Sequence, residues 1–408
     1  MTKPQHHEIV VIGAGICGAS IADELLLRGK SVCIVDSAPS PATACSSHAY
    51  AIAHPHIGKG SPRLLRLTRI AFLLAEAKWG KTWNQHGIFQ PTKKDKAFDR
   101  SEIADYLQSL GLDKDVAAPL DAKEAEMHCG IKQSGVWLSR GASLSLFEAS
   151  NDLLRERERL TCLWNTPVAK LEQINGHWRL LNDANETILS ADKVVVANAI
   201  GCKPFMSSIG IRLPLKPVRG QLSIFSISKD DPWVSKLPRV GISGDGYCLP
   251  AKQLDDGTYR WIVGSSFDEG EDDLGSRDSS DVFNRQQAQG LVDYPDGDLQ
   301  GLKKAGDFVG VRCVAGDRLP IIGALTQRPG IFLATALGSR GVLWSSLAAK
   351  LITAQVLDDD FALLTRLGFA ADLVAALAPA RFFAGALAAP GAFASNSKPI
   401  LPSVPKAK

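Results

Sequence analysis

The chain begins with a short pattern in which apolar runs and helical periodicity alternate. Residues 8–12 (EIVVI) are a β-branched run, typical of a strand that is buried on both faces. Helical periodicity follows as far as Leu27, and Gly29 ends the predicted helix. Residues 31–36 form a second apolar run, which ends in Asp36. This pattern predicts a strand, a helix and a second strand at the start of the chain.

Further along the chain the pattern changes from helical to strand-like. Helical periodicity predicts helices in three segments, 62–85, 101–110 and 143–157. Alternating or β-branched runs predict strands at 166–174, 177–181, 217–227, 246–250 and 258–266. Asn175-Gly176, between the first two of these strands, is a strong signal for a hairpin turn. The strand-rich part therefore predicts a second, mostly antiparallel sheet.

The later part of the chain returns to alternating strand and helix. Residues 191–199 and 330–336 each form an apolar run that ends in small residues, and residues 342–356 have helical periodicity. Residues 268–281 are acidic and rich in turn formers, which favours a solvated loop. Residues 389–408 are rich in Pro, Ser and Lys and are expected to form a flexible tail. The chain is therefore expected to leave its first fold and to return to it.

Three glycines with the spacing GxGxxG, Gly13, Gly15 and Gly18, join the first predicted strand to the first predicted helix. In this setting the first glycine permits a tight turn, the second lets a pyrophosphate approach the backbone, and the third lets the helix pack close to the strand. The start of the helix offers N–H groups and a positive dipole to phosphates. Asp36 would hydrogen-bond the ribose hydroxyls of an adenosine. The pattern predicts a dinucleotide site.

The loop after Asp36 favours FAD over NAD. A simple NAD domain would continue into another strand and helix, whereas residues 37–62 form a long loop rich in Ser, Ala and His. An inserted second domain that interrupts the first fold also favours FAD over NAD. The predicted fold class is α/β, a Rossmann-like FAD-binding domain with an inserted, mostly antiparallel β-sheet substrate domain. The expected domains are residues 1–90, 140–210 and 305–388 for FAD, and residues 91–139 and 211–304 for the substrate.

Composition excludes some classes of protein. A length of 408 residues favours two packed domains. The net charge is only +3, so nucleic acid would have to use a local basic patch. The eight cysteines contain no CxxC pair, which predicts neither a metal site nor a disulfide framework. No segment resembles a signal peptide or a membrane span, so we expect a cytoplasmic protein with no membrane partner.

Five segments resemble, in their order, the D-amino-acid oxidase and glycine oxidase superfamily of flavoproteins. They read GAGICG, VVVANA, GYCLPA, GVRCVAGDRLPIIG and ALGSRGVLWSSLAAKLITAQ. One branch of this superfamily is the most similar. The similarity lies in three features: GVRC with D-x-LP-x-x-G, ALGSRG, and an Ala-Ala-Leu-x-Pro-x-Arg run at 375–381. That branch is the FAD domain of the bifunctional bacterial enzyme that forms 5-methylaminomethyl-2-thiouridine in tRNA. The resemblance extends over residues 7–383 and also implies a fold like that of glutathione reductase.

The resemblance implies an FAD-dependent oxidoreductase that acts on a CH–NH group. It would remove the carboxymethyl group from 5-carboxymethylaminomethyl(-2-thio)uridine at the wobble position of tRNA, which gives the aminomethyl base and glyoxylate. The methyltransferase domain of the bifunctional enzyme has no counterpart here, which implies a separate tRNA methyltransferase acting downstream. Two alternatives stay open. One is a small-molecule amine oxidase for glycine, sarcosine or D-amino acids, and the other is a catalytically inactive FAD-binding protein that associates with RNA.

The resemblance also implies which residues form the site. Arg312, a lone arginine in an apolar run, would bind the substrate carboxylate through its planar guanidinium; the alternative is an ion pair with Asp317 or another acid. Tyr247 and Arg340 would help to anchor the same carboxylate. The expected cofactor-binding residues are Gly13, Ala14, Gly15, Gly18, Asp36, Ser46, Ser47, Val168, Ala197, Gly338, Ser339 and Gly341.

Two segments depart from the family pattern. Residues 48–51 read His-Ala-Tyr-Ala where the family has Asn-Arg-Gln-Gly, and Gly316 occupies a position that is usually basic. By resemblance both segments line the flavin or the substrate entrance, so they leave the identity of the substrate open.

A group of basic residues is the candidate tRNA contact. Lys59, Arg63, Arg66 and Arg69 lie in a stretch without acids, and the arginines recur every three residues, roughly on one face of a predicted helix. Such a stripe is able to contact phosphates. A solvated surface helix is the alternative.

Overall fold

The computed structural model describes residues 5–58, 60–93, 96–292, 298–359 and 361–383 of the chain. Its helices are α1 Ile16–Leu27, α2 Pro62–Trp79, α3 Arg100–Ser109, α4 Ala122–Cys129, α5 Leu146–Leu154, α6 Lys203–Ser208, α7 Asp278–Val292, α8 Gly341–Val356, α9 Ala362–Arg366 and α10 Ala371–Leu377. Its first strands are β1 Gln5–Ile12, β2 Val32–Val35, β3 Ala51–Ala53, β4 Asn84–Gln85, β5 Ile88–Pro91, β6 Ala117–Leu120, β7 Gly135–Leu138, β8 Ala142–Leu144, β9 Leu160–Leu163, β10 Lys170–Ile174 and β11 His177–Leu181. The remaining strands are β12 Thr187–Val196, β13 Leu215–Ile227, β14 Gly241–Gly244, β15 Gly246–Cys248, β16 Lys252–Gln253, β17 Tyr259–Gly264, β18 Asp268–Glu269, β19 Lys303–Ala315, β20 Ile321–Ala324 and β21 Ile331–Thr335.

The first sheet has a parallel core, in which β9, β2, β1, β12 and β21 pair in that order. The hairpin β10–β11 and strand β20 extend it in the antiparallel sense. Helices α1 and α8 pack on one another over this sheet. Because β1, β12 and β21 come from distant parts of the chain, the first fold is left and re-entered. The predicted α/β fold class, with a Rossmann-like domain and a separate antiparallel sheet, is confirmed.

The second sheet is mostly antiparallel and contains β18, β13, β17, β15, β14, β5, β7 and β6 in that order. Strand β19 pairs with β13 along nearly its whole length, from Leu215↔Ala315 to Ser226↔Lys303. A small third sheet joins β3, β8 and β4. The bounds of the two domains stay a prediction. Strands β5 and β19, which belong to the second sheet, run across the expected boundaries at residues 90 and 305.

Most predicted elements are present, and two helices were predicted too long. The helix predicted over 62–85 ends at Trp79, and residues 84–85 form β4. The hairpin turn at Asn175-Gly176 is confirmed, with φ of +52° and +84° at the two residues. The helix predicted over 143–157 is shorter, because residues 142–144 form β8 and pair with β3. Ser145 then caps α5, since its hydroxyl accepts from the Glu148 N–H at 3.2 Å.

Four further expectations have simple outcomes. Residues 268–281 are largely loop, but they include the two-residue strand β18 and the first turn of α7. The predicted tail at 389–408 lies outside the described residues. Within the described residues, no helix is both long enough and apolar enough to cross a bilayer. All eight cysteines carry free thiols.

A fully buried arginine fixes the acidic segment 268–281 to the second sheet. Arg219 of β13 has no exposed surface. Its guanidinium donates hydrogen bonds to the carboxylate of Asp268 at 3.0 Å and to the side chain of Gln221 at 2.8 Å. Further donors reach Ser280 and the carbonyl oxygens of Asp273 and Gly275. A buried charge satisfied in this way is costly to break, because its partners are left without hydrogen bonds.

We predict that Arg219→Met destabilises the protein by about 3–5 kcal/mol, because it removes the ion-pair partner of the half-buried Asp268 carboxylate and leaves several acceptors without a donor. The matched control is Arg318→Met, since the side chain of Arg318 is 75% exposed in its ion pair with Glu269. The control substitution should lower the free energy of unfolding by less than about 1 kcal/mol. Urea unfolding of both variants measures the difference, and equal losses would contradict the role given to Arg219.

Candidate functional site

The glycine motif lies where β1 meets α1. Gly13 has φ of +102°, and a Cβ there would lie 2.8 Å from backbone atoms of Asn198. A Cβ on Gly18 would lie only 1.8 Å from the carbonyl oxygen of Gly13. These two glycines therefore let α1 begin directly at the carboxyl end of β1, which is the geometry of a dinucleotide-binding turn.

Polar groups surround the start of α1. Asp36, directly after β2, accepts a hydrogen bond from the Ala14 N–H at 2.6 Å. The hydroxyl oxygen of Ser46 accepts from the Ile16 N–H at 3.0 Å, and a Cβ on Gly15 would lie 3.0 Å from that oxygen. A carboxylate and a hydroxyl therefore lie on either side of the helix start.

The other predicted cofactor residues from the first half of the chain lie around this turn. Ser47 lies in a 3₁₀ turn at residues 45–47, and its hydroxyl donates to the carbonyl three residues earlier at 2.8 Å. Ala197 follows β12, and its N–H donates to the carbonyl of Ile12 at 2.8 Å. Val168 is half-buried in the segment between β9 and β10. Their contacts with the cofactor stay a prediction.

A second helix begins beside the glycine motif. Helix α8 starts at Gly341, and a Cβ on that residue would lie 3.9 Å from the side chain of Ile16. Before it, Gly338 has φ of +56° and donates its N–H to the Cys313 carbonyl at 2.9 Å, while Ser339 is exposed. The N-termini of α1 and α8 are therefore neighbours. Because each carries a partial positive charge, both favour negative charge in the space next to them.

The residues at this turn fit FAD on two observations besides the motif. The side-chain oxygen of Asn198, next to Gly13, is buried and has no hydrogen-bond partner among the described residues. It is available to a donor of a bound cofactor. No acidic side chain stands in the first turn of α1, and the carboxylate of Asp36 accepts from the Ala14 N–H, which precedes the helix, so the helix places no carboxylate of its own at its N-terminus.

A small cavity lies against β13, β15, β19 and the loop after β2. We call it the anchor cavity; its lining includes Cys45, His48, Gly220, Tyr247, Phe308 and Arg312. Its volume is about 40 Å³, which is room for roughly three water molecules or a group the size of a carboxylate. Two of the three predicted anchoring residues thus meet in one cavity.

Arg312 lies on β19, and its guanidinium is held by the segment that follows β17. Its Nη2 donates to the hydroxyl of Ser265 at 2.6 Å, and its Nη1 donates to the carbonyl of Ser266 at 3.3 Å. The ring of Phe267 lies with its centroid 5.6 Å from the guanidinium carbon. These contacts position the side chain, but all of them are with neutral groups.

The charge of Arg312 forms no ion pair within the described part of the chain. Asp317, the alternative partner, pairs with Arg381 at 2.7 Å instead. A half-buried guanidinium that lacks a carboxylate is unfavourable, and an anionic ligand would offset that cost. The carboxylate-binding role of Arg312 stays a prediction, and this geometry supports it.

Gly220 makes the room that Arg312 occupies. Val218 pairs with Arg312 across β13 and β19, so Gly220, two residues along β13, lies on the same face of the sheet. A Cβ on Gly220 would lie between 2.1 and 2.4 Å from three atoms of the guanidinium. No side chain larger than hydrogen fits there without moving Arg312.

A neutral histidine orients Tyr247. Nδ1 of His48 accepts from the Tyr50 N–H at 3.1 Å, and Nε2 lies 3.1 Å from the Tyr247 hydroxyl. Burial, assisted by the charge of Arg312, lowers the pKa of His48 to about 3. Since Nδ1 is an acceptor, the neutral ring carries its proton on Nε2 and donates it to Tyr247. The imidazole also stacks on Phe308, with the ring centroids 4.8 Å apart.

The phenol of Tyr247 stays protonated, because burial raises its pKa. Its hydroxyl lies 3.4 Å from the carbonyl of Tyr50, a long contact. Tyr247 therefore accepts a hydrogen bond from His48 and is able to donate its own proton to a stronger acceptor, such as a carboxylate beside Arg312.

Arg340, the third predicted anchoring residue, stands apart from the described lining of the anchor cavity. It is half-buried at the start of α8, with Nη2 3.4 Å from Nδ1 of His56, and burial lowers its pKa. Nearby, His54 bonds the Ser243 hydroxyl at 2.8 Å, and burial lowers the pKa of His54 to about 4. This cation therefore lies beside two histidines rather than in the cavity.

The basic stripe predicted to contact tRNA is partly engaged within the chain. Arg66 pairs with Asp372 at 2.8 Å, and the half-buried Arg69 donates to a backbone carbonyl after α3 at 2.9 Å. Arg63 is exposed and forms no ion pair among the described residues. Lys59 lies outside those residues. The tRNA contact of this stripe stays a prediction.

Three residues of the site were missed as site residues from the sequence. Gly220 interrupts a predicted strand, and a glycine inside a strand often marks a close approach of another group. Asn198 follows the predicted strand that returns to the nucleotide-binding fold. His48 lies in the segment that departs from the family pattern. The first two signals were available in the sequence, whereas the contact of His48 with Tyr247 joins positions that are distant along the chain.

A dinucleotide-binding turn on a parallel sheet, next to an antiparallel sheet that carries a guanidinium cavity, defines the class of flavin-dependent oxidoreductases. Comparison with protein families agrees, since residues 8–355 match the family described as FAD dependent oxidoreductase. The chain belongs to this family, and its cofactor is FAD. The superfamily predicted from the sequence motifs is confirmed.

Curated relatives include the tRNA 5-methylaminomethyl-2-thiouridine biosynthesis bifunctional protein MnmC of Ralstonia nicotianae. This protein is 32% identical over 426 residues, and the match covers 94% of the chain and 61% of the relative. The protein of the same name from Burkholderia lata is 31% identical over 412 residues, with coverage of 93% and 60%. The chain therefore spans about 60% of the length of these relatives.

Solved structures with the same fold include glycine oxidase from Geobacillus kaustophilus. It has a TM-score of 0.73 at 19% identity, and the match covers 88% of this chain and 96% of that one. L-proline dehydrogenase from P. horikoshii has a TM-score of 0.72 at 17% identity, with coverage of 93% and 98%. At these identities the likeness shows the fold.

We predict that Gly18→Ala costs about 3 kcal/mol of FAD binding, or roughly a hundredfold in affinity, because α1 must move away from β1. The matched control is Gly290→Ala in α7, where a Cβ would meet nothing within 4 Å. Flavin absorbance per protein after purification and FAD titration measure the effect. Full retention of FAD by Gly18→Ala would contradict the role of the close contact.

Stability should fall as the pH is lowered, because the fold keeps His48 and His54 neutral. Their pKa values are lowered to about 3 and about 4, whereas an unfolded histidine titrates near 6.5. Between about pH 6.5 and 4 the unfolded state therefore binds protons that the folded state does not, and stability is lost. Between pH 7.5 and pH 5, the melting temperature of His48→Gln should fall by less than that of the unaltered protein. The exposed-site control His128→Gln should lose as much as the unaltered protein.

Proposed function

We propose that this protein oxidises the carboxymethylaminomethyl arm of a wobble uridine in tRNA and releases glyoxylate. The observation that carries the proposal is the unpaired guanidinium of Arg312 in a cavity the size of a carboxylate. The arm is an N-substituted glycine, so it ends in the carboxylate that this cavity suits. The printed function of the MnmC relatives supports tRNA as the molecule that bears the arm.

One charged donor and one neutral donor recognise the carboxylate. Arg312 offers the planar, charged donor, and Tyr247 offers a phenolic proton beside it. His48 holds the Tyr247 hydroxyl by donating to it at 3.1 Å, so the phenol is oriented before the substrate binds. Because His48 is neutral, Arg312 is the one charge that the carboxylate meets among the described lining residues. The rest of the lining excludes water and strengthens this interaction.

Holding the carboxylate also orients the CH–NH unit next to it. FAD, when bound, supplies the acceptor for the two electrons that leave this unit. The carbon between the nitrogen and the carboxylate loses a hydride, the nitrogen loses a proton, and a C=N bond forms. Water adds to that bond, the C–N bond breaks, and the products are the aminomethyl base and glyoxylate. The protein contributes position and the exclusion of bulk water, and no side chain is required as an obligatory base.

We predict that Arg312→Gln lowers kcat/KM for the carboxymethylaminomethyl nucleoside by about a thousandfold, because a charged, bidentate contact is lost. Anaerobic mixing with the nucleoside or the modified tRNA, followed by flavin absorbance, gives the rate. Arg381→Gln is the matched control, since its guanidinium pairs with Asp317 and does not line the anchor cavity.

Glycine, sarcosine and unmodified tRNA are tested beside the modified tRNA. Flavin reduction by the modified tRNA and its nucleoside, with little reduction by free amines, is the expected result. Faster reduction by sarcosine or glycine would overturn the proposal in favour of a small-molecule amine oxidase. Flavin that stays oxidised with every substrate would favour a binding protein without catalysis.

A further inference from the structure

A second cavity lies on the other side of Tyr50 from the anchor cavity. We call it the Tyr50 cavity. Its polar lining comes from Tyr50, Asn84, Ser143, Lys252 and Arg260, and its apolar lining from the segment after β15 and from β17. Its volume is about 140 Å³, which is room for roughly ten water molecules. It is thus larger than the anchor cavity.

Two cations line this cavity and lie opposite each other on neighbouring strands. Lys252 on β16 pairs directly with Arg260 on β17. Like charges directly opposite on neighbouring strands are destabilising. Within the described residues neither cation forms an ion pair, and no acidic residue lines the cavity. Asp256, in the turn between the strands, accepts hydrogen bonds from Thr258 at 2.7 and 2.9 Å, which lower its pKa, and the charge of Arg260 adds to this effect without forming an ion pair. An anion in the cavity would remove the repulsion.

Residues 48–50 connect the two cavities. The Tyr50 N–H bonds His48, and the Tyr50 carbonyl lies 3.4 Å from the Tyr247 hydroxyl; both partners line the anchor cavity. The Tyr50 side chain lines the second cavity, where its hydroxyl accepts from Arg260 at 3.4 Å. A ligand in the Tyr50 cavity therefore lies one chain segment away from the carboxylate site.

We propose that the Tyr50 cavity binds a nucleotide that adjoins the modified uridine in the RNA substrate. Lys252 and Arg260 hold its phosphate, for which a guanidinium and an ammonium are the usual donors. Tyr50 supplies the aromatic ring for the base, as in proteins that bind single-stranded RNA. Asn84 and Ser143 add neutral polar groups. This inference rests on the proposed function and extends it, since it places the RNA chain that carries the arm.

The test removes the two charges and compares RNA binding with a matched pair elsewhere. The variant is Lys252→Gln with Arg260→Gln. The control is Arg212→Gln with Lys216→Gln, an equal charge change at exposed residues near the start of β13. Residue Ser226, which pairs with Arg260, lies at the other end of that strand. Fluorescence anisotropy of an anticodon stem-loop RNA, at several salt concentrations, is measured with the FAD-bound protein.

The cavity variant should bind the stem-loop about tenfold more weakly at low salt. Its log–log salt dependence should lose about 0.7 in slope for each phosphate contact removed. The control should change affinity by less than about twofold, because charge alone acts weakly at a distance in salt. Equal weakening by both variants, or no weakening by the cavity variant, would overturn the proposal.

Small probes separate a nucleotide site from a site for any phosphate. Uridine 5′-monophosphate should compete with the stem-loop at a concentration at which inorganic phosphate does not. Tyr50→Leu should weaken that competition about fivefold, since stacking contributes about 1–3 kcal/mol per base, while Tyr50→Phe should retain most of it. Equal competition by inorganic phosphate would overturn the nucleotide assignment.

The carboxymethylaminomethyl nucleoside, which has no phosphate, separates this inference from the function on which it rests. It should reduce the flavin of the cavity variant as fast as that of the unaltered protein, while KM for the modified tRNA rises about tenfold. If neither nucleoside nor tRNA reduces the unaltered protein, the proposed function fails. If both do so and the cavity variant has normal KM for tRNA, only the Tyr50 cavity assignment fails.

Discussion

The pairing of β13 with β19 is the contact on which the site depends. These strands lie side by side from Leu215↔Ala315 to Ser226↔Lys303. On one face the pairing brings Arg312 over Gly220 and towards the loop after β2. On the other face Arg219 of the same strand holds the acidic segment 268–281. One pair of strands therefore both contributes to the anchor cavity on one face and fixes the acidic segment on the other.

On the face of these strands that carries the anchor cavity, cationic groups lie without acidic partners in the described part of the chain. Arg312 has hydrogen bonds only to neutral groups, and the N-termini of α1 and α8 meet nearby. The histidines next to these cations stay neutral, since burial lowers the pKa values of His48 and His54. Half-buried cations without acidic partners are unfavourable. An anion that binds beside them offsets this cost, so the arrangement favours the binding of anions.

The sequence was sufficient for those parts of the fold that depend on local pattern. The GxGxxG turn, the Asn175-Gly176 hairpin and helix α8 are each determined by neighbours in the chain, and each was predicted. Three other contacts depend on strand register or on loops that cross between elements: those of Arg312 with Gly220, of His48 with Tyr247, and of Lys252 with Arg260. The local pattern of apolar and polar residues does not determine which residues of two distant segments lie opposite each other. The helix expected over 143–157 failed for the same reason, because β3 recruits residues 142–144 into a strand.

Gly220 is a position by which this arrangement of the arginine can be recognised in the sequences of related chains. An arginine that corresponds to Arg312 can adopt this position only if the residue of the neighbouring strand that lies beneath its guanidinium, two positions along from its direct partner Val218, lacks a side chain. Replacing the glycine would therefore displace the guanidinium even where the arginine itself is kept. In a chain that keeps the arginine but carries alanine or a larger residue in place of this glycine, the guanidinium cannot occupy the position that it has here. Two positions of the sequence, 92 residues apart in this chain, are therefore enough to tell such chains from one another.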